Sequence, residues 1–219
     1  MSKIQEALSK IQGIKTTVTE TGIKNNHVVA NPVARVDDKP NNQGHSKILK
    51  LDNDALRQAG LIAPDYHEEL LAQQYRGIKR PLIAHAFGKR ATKVEDGNLI
   101  MVCSALSGEG KTFTSINLAL SMAKERDISV LLVDADVAKP HTSAMFGVHD
   151  ELGLLDLLDS PEIPIQSLIL PTDVDNLSVL PAGQPRNNAT ELLASSAMEN
   201  ICRSLSHLHR RQIAVRLLF

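Results

Sequence analysis

The residues best suited to chemistry lie in one stretch, where an apolar run from Leu99 to Cys103 leads into a glycine-bearing turn. The turn is Ser107-Gly108-Glu109-Gly110, and it is followed by Lys111-Thr112 and a helix-forming segment to Arg126 with one apolar face. A strand, a glycine turn and a helix together are typical of a phosphate-binding loop. Glycines let backbone N–H groups approach phosphate oxygens, and the helix start adds its positive dipole end.

In such a loop Lys111 reaches the β- and γ-phosphates of a nucleotide, and the Thr112 hydroxyl binds Mg²⁺. The stretch matches G-x-x-x-x-G-K-[ST], except that Ala105 stands in place of the first glycine. The alternative interpretation is an ordinary glycine turn before a helix. The agreement of strand, GKT triplet and helix favours the phosphate-binding loop.

Two carboxylates follow a second apolar run. Ser129 to Val133 predicts a buried strand, and Asp134-Ala135-Asp136 comes directly after it. The carboxyl ends of parallel strands are where open α/β sheets bind ligands. Beside a nucleotide, Asp134 and Asp136 would hold Mg²⁺ directly or through water. The alternative is a solvated turn with a helix N-cap.

Composition narrows the class of protein. A chain of 219 residues with 42% hydrophobic residues accommodates one main domain and a tail, and its net charge of −1 gives no nucleic-acid signal. Cys103 and Cys202 are expected to be reduced core residues. No apolar run approaches 18 residues and no signal peptide is evident, so we expect a cytoplasmic protein.

The elements around these motifs predict an α/β fold, a P-loop NTPase-type parallel sheet flanked by helices and incomplete at the C-terminus. Leu177 to Leu180 predicts a third strand, and Ile213 to Phe219 a fourth, where the sheet would stop with an open edge. Four regions are expected: an amphipathic N-terminal helix, a flexible linker, a helical segment and the ATP-binding domain, at residues 1–13, 14–50, 51–97 and 98–219.

Two helices are expected in the helical segment. Asp52 is placed to cap the first, which ends at Gly60. The second runs from Pro64 to about Lys79, where Pro81 should kink or end it. Its apolar stripe consists of Leu71, Tyr75, Ile78 and Leu82. Six Lys or Arg and no acid lie between Arg76 and Lys93, which indicates either a solvated face or a surface for an acidic partner or anionic lipid.

Residues 50–210 resemble the bacterial tyrosine kinases of polysaccharide export, especially the exosortase-associated type. The resemblance rests on three stretches of sequence, QQYRGIKRPL at 73–82, SGEGKT at 107–112 and LLVDADVAKP at 131–140. It implies an ATP-dependent autokinase that phosphorylates tyrosines in its own tail within a ring of subunits. It also implies an inner-membrane partner that controls polymer length, placing the protein at the inner face of that membrane.

The resemblance further implies roles for individual residues. Lys111 would stabilise the transferring phosphoryl group, Thr112 and Asp134 would hold Mg²⁺, and Asp136 would assist the metal or activate the tyrosine hydroxyl. The residues expected to contact ATP are Ser107, Gly108, Glu109, Gly110, Lys111, Thr112 and Phe113. Those expected to contact a neighbouring subunit are Gln73, Arg76 and Lys79.

The sequence departs from the family pattern in four places. Gln73 replaces a Glu of the subunit-contact motif, and Lys139 replaces an Arg. An apolar strand followed by Asp-x-Pro-Pro is missing, as though the chain were cut or shifted in frame near residues 210–219. Tyr66 and Tyr75 are the only tyrosines. We therefore expect an impaired kinase with little or no autophosphorylation.

Two other functions fit the same loop. Partition and division-site ATPases share it, but they carry a signature Lys where this chain has Ser107. A non-catalytic nucleotide-binding interaction module is the other alternative. Measuring ATP affinity and turnover separately would distinguish these functions from a kinase.

Overall fold

The computed structural model of the chain describes residues 48–62, 69–88, 93–207 and 212–217. The helix expected at 1–13 and the linker expected from residue 14 up to residue 47 lie outside these ranges, as does Tyr66. The last three residues of the expected linker are described. Leu49 forms a parallel bridge with Thr172, so this part of the chain follows the edge of the sheet rather than lying free.

The described residues contain seven helices, five strands and a 3₁₀ turn at Ile165–Ser167, joined by loops. The helices are α1 Asn53–Gln58, α2 Glu69–Phe87, α3 Lys111–Ala123, α4 His141–Met145, α5 Leu154–Asp159, α6 Ala189–Leu193 and α7 Ser196–His207. The strands are β1 Leu99–Val102, β2 Ser129–Val133, β3 Leu170–Pro171, β4 Leu177–Leu180 and β5 Gln212–Leu217.

The five strands form one sheet in the order β1-β5-β2-β4-β3. All neighbours are parallel except β3 and β4, so the predicted parallel sheet is confirmed with a short antiparallel strand added at one edge. The expectation that the last strand would form an open edge is wrong. Strand β5 lies between β1 and β2 because its backbone pairs with both, Ala214 being the partner of Leu99 on one side and of Leu131 on the other.

Helices cover both faces of this sheet, and the alternation along β2 shows why. Val130 and Leu132 are buried on the face covered by α1, α2 and α3. Leu131 and Val133 are buried on the opposite face, under α5 and α7. Successive side chains of a strand point to opposite faces, so a strand that is apolar throughout must be covered on both sides.

Helix α2 does not end at Pro81, as the sequence suggested, but continues to Phe87. Packing on both sides of the proline outweighs its local cost, since Tyr75 and Ala86 are both buried. The expected apolar stripe is wrong at Ile78, which is 46% exposed. Lys79 takes its place in the buried stripe, with only 6% of its surface exposed.

Cys103 and Cys202 are thiols that form no disulfide, as expected, but Cys103 is not a core residue. It follows the last residue of β1 and is exposed, whereas Cys202 on α7 is partly buried. The strand ends at Val102, so Cys103 belongs to the loop that leaves the sheet.

Asp52 caps α1 as predicted, and its carboxylate accepts the N–H groups of Asp54 and Ala55 at 3.0 Å.

Candidate nucleotide site

The turn between β1 and α3 has the backbone geometry of an anion-binding loop. Gly108 and Gly110 have φ angles of +87° and +91°, a region that other residues rarely adopt. At both positions, no other described atom lies within 4 Å of where a Cβ would stand. The backbone on this side of the loop is therefore open to an incoming group.

Helix α3 begins directly after Gly110 and is 13 residues long. Its first N–H groups have no partners within the helix, and no side chain of the preceding residue caps them. These N–H groups and the helix dipole make the end of the loop favourable for an anion. Phe113 lies in this first turn and is 38% exposed.

Three side chains brace the loop. The ammonium group of Lys111 donates to the Ser104 hydroxyl at 3.0 Å, and that hydroxyl donates to the carbonyl of Leu106 at 2.9 Å. The carboxylate of Glu109 accepts the N–H of Leu106 at 3.1 Å. The ammonium group of Lys111 is thus held across the loop. Sequence reasoning missed Ser104, whose only signal is a hydroxyl at the start of the loop.

The carboxylates after β2 are buried rather than solvated. Asp134 is fully buried, and Asp136 has 7% of its surface exposed. One Asp134 oxygen accepts the N–H and the hydroxyl of Ser143, at 2.8 and 2.7 Å, and the other accepts the N–H of Asp136 at 3.2 Å. Asp136 in turn accepts the N–H of Lys139 at 3.0 Å. The alternative of a solvated turn is therefore wrong.

The environment of Asp134 changes its ionisation. Burial raises the pKa of Asp134 above its ordinary value of 3.8, because it removes water from the charged form. The hydrogen bonds from Ser143 and Asp136 oppose this rise, and the nearby charge of Asp136 adds to it. A cation bound beside Asp134 would favour its charged form.

The glycine loop and the carboxylates emerge at the same edge of the sheet. Val102 and Val133, the last residues of β1 and β2, pair with adjacent residues of β5, Leu217 and Arg216. Neighbouring strands lie about 4.8 Å apart, so two spacings put roughly 10 Å between the ends of β1 and β2. A nucleotide phosphate group and a cation fit this span.

The donor set fits Mg²⁺, which prefers oxygen ligands and keeps several waters. Thr112 offers a hydroxyl, and Asp134 and Asp136 offer carboxylates. Among the described residues there is no cluster of three or more His, Cys, Asp or Glu side chains that would hold a metal alone. The remaining ligands would therefore have to come from phosphate oxygens and water.

Residues 100–217 match the family described as CbiA, the CobQ/CobB/MinD/ParA nucleotide binding domain. This match spans more than half of the chain. The chain belongs to this nucleotide-binding family.

Curated relatives of the chain are bacterial tyrosine kinases. It is 31% identical to the tyrosine-protein kinase YwqD of Bacillus subtilis over 70% of this chain and 61% of that protein. It is 30% identical to the tyrosine-protein kinase wzc of Salmonella typhi over 64% of this chain and 18% of that one. The resemblance found in the sequence is confirmed, although the chain spans less than two thirds of either relative.

Two solved structures share the fold of this chain. The chimerical protein CapA2B2 superposes with a TM-score of 0.59 at 25% identity, covering 78% of this chain and 70% of that one. The VpsO kinase domain superposes with a TM-score of 0.52 at 26% identity, covering 70% of this chain and 72% of that one. The P-loop fold predicted from the sequence is therefore confirmed.

The three residues expected at a subunit contact differ in their exposure to solvent. Gln73 and Arg76 are exposed on α2. The ammonium group of Lys79 instead points into the chain, where it donates to the carbonyl of Ser121 at 2.6 Å. Lys79 is thus engaged within the chain, and a subunit contact stays a prediction for Gln73 and Arg76.

Proposed function

We propose that this chain is the ATP-binding domain of a protein-tyrosine kinase that acts in polysaccharide export. The observation that carries the proposal is the juxtaposition of the open glycine loop after β1 with the Asp134-Ala135-Asp136 turn after β2, on either side of β5. The kinship with bacterial tyrosine kinases supports this chemistry over that of the partition ATPases in the same broad family.

ATP would lie with its phosphates over the loop from Ser107 to Phe113. The N–H groups after Gly108 and at the start of α3 would donate to phosphate oxygens, and Lys111 would turn from Ser104 toward the β- and γ-phosphates. Because the Lys111 ammonium group already lies across the loop, little rearrangement is required. Its charge would oppose the negative charge that develops during transfer.

Thr112, Asp134 and Asp136 would hold Mg²⁺ beside the phosphates. When bound, Mg²⁺ supplies charge neutralisation and fixes the orientation of the phosphate chain. Asp136 is the better placed of the two acids to meet a tyrosine hydroxyl, since Asp134 is fully buried. Asp136 would accept the hydroxyl proton at its carboxylate as the phosphoryl group is transferred.

A membrane-bound partner and a ring of subunits are part of the proposal. No helix among the described residues is both long and apolar enough to cross a membrane. We propose, as the resemblance implies, that a polysaccharide co-polymerase holds the chain at the inner face of the inner membrane. Exposed Arg76 and Arg80 on α2 are cations suited to an acidic surface of that partner or of another subunit.

The first experiment measures ATP affinity by calorimetry for the native chain, Lys111→Ala and Lys124→Ala. Lys124 is an exposed lysine at the other end of α3, so it controls for loss of charge. We expect Lys111→Ala to weaken ATP binding roughly 10- to 100-fold, since a hydrogen bond from a charged group contributes about 1.5–3 kcal/mol. Lys124→Ala should bind like the native chain, and equal affinity for all three would refute the phosphate-binding loop.

The second experiment supplies Mg²⁺, labelled ATP and a synthetic copolymer of Glu and Tyr. Label on tyrosine that Lys111→Ala abolishes is the expected result. ATP binding without turnover would favour a non-catalytic interaction module. Release of free phosphate without label on tyrosine would favour an ATPase of the partition type.

A further inference from the structure

A serine outside every motif of the sequence holds the buried carboxylate of the site. The hydroxyl of Ser143, on α4, lies 2.7 Å from an Asp134 oxygen and 3.1 Å from the backbone nitrogen of Ala182. Ser143 is almost completely buried, and Asp134 is completely buried. The serine thus joins the end of β2 to the loop that follows β4.

The direction of these two hydrogen bonds is fixed by chemistry. The N–H of Ala182 can only donate, so the Ser143 oxygen must be its acceptor. The serine hydroxyl has a single proton, and it must donate that proton to Asp134. The ionised oxygens of Asp134 can only accept. A hydrogen bond from a hydroxyl to a carboxylate is shorter and stronger than one between neutral groups, in agreement with the 2.7 Å separation.

The pattern of donors distinguishes the two oxygens of Asp134. Oδ2 accepts both the N–H and the hydroxyl of Ser143, which occupy its two lone-pair directions. Oδ1 accepts only the N–H of Asp136, at 3.2 Å, among the described residues. One lone pair of Oδ1 is therefore left for a ligand, and the serine determines which oxygen that is.

The loop on the far side of the serine is itself fixed. The carboxylate of Asp156 accepts the N–H of Gln184 at 3.0 Å and pairs with Arg186 at 3.1 Å. Gly183 has a φ of +88°, and a Cβ there would stand 2.5 Å from the same carboxylate. Ala182, between Pro181 and this glycine, therefore presents its N–H to Ser143 from a rigid support.

We propose that Ser143 is a positioning residue that saturates Oδ2 of Asp134 and turns Oδ1 toward the cation of a bound Mg²⁺–nucleotide. This rests on the proposed function, since it assumes that Asp134 serves the cation site. It goes beyond that function in assigning a role to a residue that the resemblance does not mark. The backbone N–H of Ser143 would remain in any variant, so the hydroxyl tunes the site without being its only support.

The test compares ATP affinity in excess Mg²⁺ with affinity in excess chelator, for the native chain and three variants. Ser143→Ala removes the hydroxyl, and Ser143→Thr restores one. Ser115→Ala is the matched control, because Ser115 is equally buried but its hydroxyl has no hydrogen-bond partner among the described residues. Thermal denaturation of each variant establishes that it is folded.

Mg²⁺ should increase the ATP affinity of the native chain, and we expect this increase to be about tenfold smaller in Ser143→Ala. Losing a group that orients a metal ligand typically costs 10- to 100-fold. Affinity in chelator should stay within about twofold of native, because the loop amides and Lys111 are untouched. Ser143→Thr should recover most of the loss, and Ser115→Ala should match the native chain. If Ser143→Ala does not fold, Ser143→Cys replaces it, since a thiol leaves no cavity and weakens both hydrogen bonds.

An equal loss with Mg²⁺ and with chelator would make Ser143 a merely structural residue and overturn the proposal, as would no loss at all. These outcomes differ from failure of the proposed function. If the native chain binds ATP with no help from Mg²⁺, the cation role of Asp134 and the role of Ser143 both fall while the loop assignment stands. If the native chain does not bind ATP, the proposed function falls with them.

Discussion

The ammonium group of Lys79 lies 2.8 Å from the carboxylate of Glu125 and 2.6 Å from the carbonyl oxygen of Ser121. Lys79 is on α2, whereas Ser121 is in the last turns of α3 and Glu125 follows that helix. A cation near a helix C-terminus also meets the negative end of its dipole. The contact therefore fastens α2 to the helix that starts at the phosphate-binding loop.

Replacing Lys79 by alanine should destabilise the chain by about 1–3 kcal/mol, as expected for losing a buried charged donor to a carbonyl. The carboxylate of Glu125 is 46% exposed, so solvent screening makes its contribution to this stability smaller than that of the Ser121 carbonyl. Urea denaturation measures the change. Arg80→Ala is the control, since Arg80 is exposed on the same helix and should fall within about 0.5 kcal/mol of native. Equal changes in the two variants would contradict a structural role for Lys79.

Much of this site could be predicted from the sequence because it rests on local signals. The glycine turn, Lys111 and the apolar run before it predicted a strand, a loop and a helix in that order, and the structure has them. The β2 strand was predicted with the bounds it has, Ser129–Val133, because both of its faces are buried and its apolar run is continuous.

The remaining features depend on contacts between distant residues. The insertion of β5 between β1 and β2 is a long-range pairing that no local pattern encodes. Lys79 was expected on a surface because charged residues are rarely buried, and only the carbonyl of Ser121 makes its burial favourable. Ser143 lies nine residues beyond Asp134, and its hydroxyl gains a role only when α4 folds back.

Replacing Asp136 by asparagine should reduce the Mg²⁺-dependent part of ATP affinity by about tenfold and leave affinity in chelator nearly unchanged. The amide keeps an oxygen for the N–H of Lys139 but loses the charge that attracts a cation. Asp175→Asn is the control, since Asp175 is exposed before β4, at the opposite edge of the sheet. Titrating Mg²⁺ at fixed ATP measures the effect. A loss of the same size with chelator would remove Asp136 from the cation site.

The raised pKa of Asp134 predicts how stability changes with pH in the absence of metal. The folded chain holds this proton more tightly than the unfolded chain, so the stability due to this group falls as pH rises from 3.8 through the raised value. Above that window the loss is complete. Asp134→Asn has no such proton, so its free energy of unfolding relative to native should increase as pH rises.

Urea denaturation in chelator at a series of pH values between about 4 and 8 measures this difference, on the scale of 1.36 kcal/mol per pKa unit. Asp175→Asn is measured alongside as the control for removing an exposed carboxylate. A constant difference between Asp134→Asn and native over this range would mean that burial does not perturb the Asp134 carboxyl.

Tyr75 should not accept phosphate while the chain is folded. Only 5% of its surface is exposed, and it packs in the core shared by α2 and α3. A phenol oxygen must reach the γ-phosphate with its proton accessible to a base, and a buried ring on α2 does neither.

The test of this prediction incubates the chain with Mg²⁺ and labelled ATP, and phosphotyrosine is mapped by mass spectrometry. Any label on the chain should be on Tyr66, so Tyr75→Phe should leave it unchanged and Tyr66→Phe should remove it. Phosphate on Tyr75 would contradict this prediction if the labelled protein still unfolds at the native urea midpoint. It would show that α2 leaves the core during the reaction and that the contact of Lys79 with Ser121 opens with it.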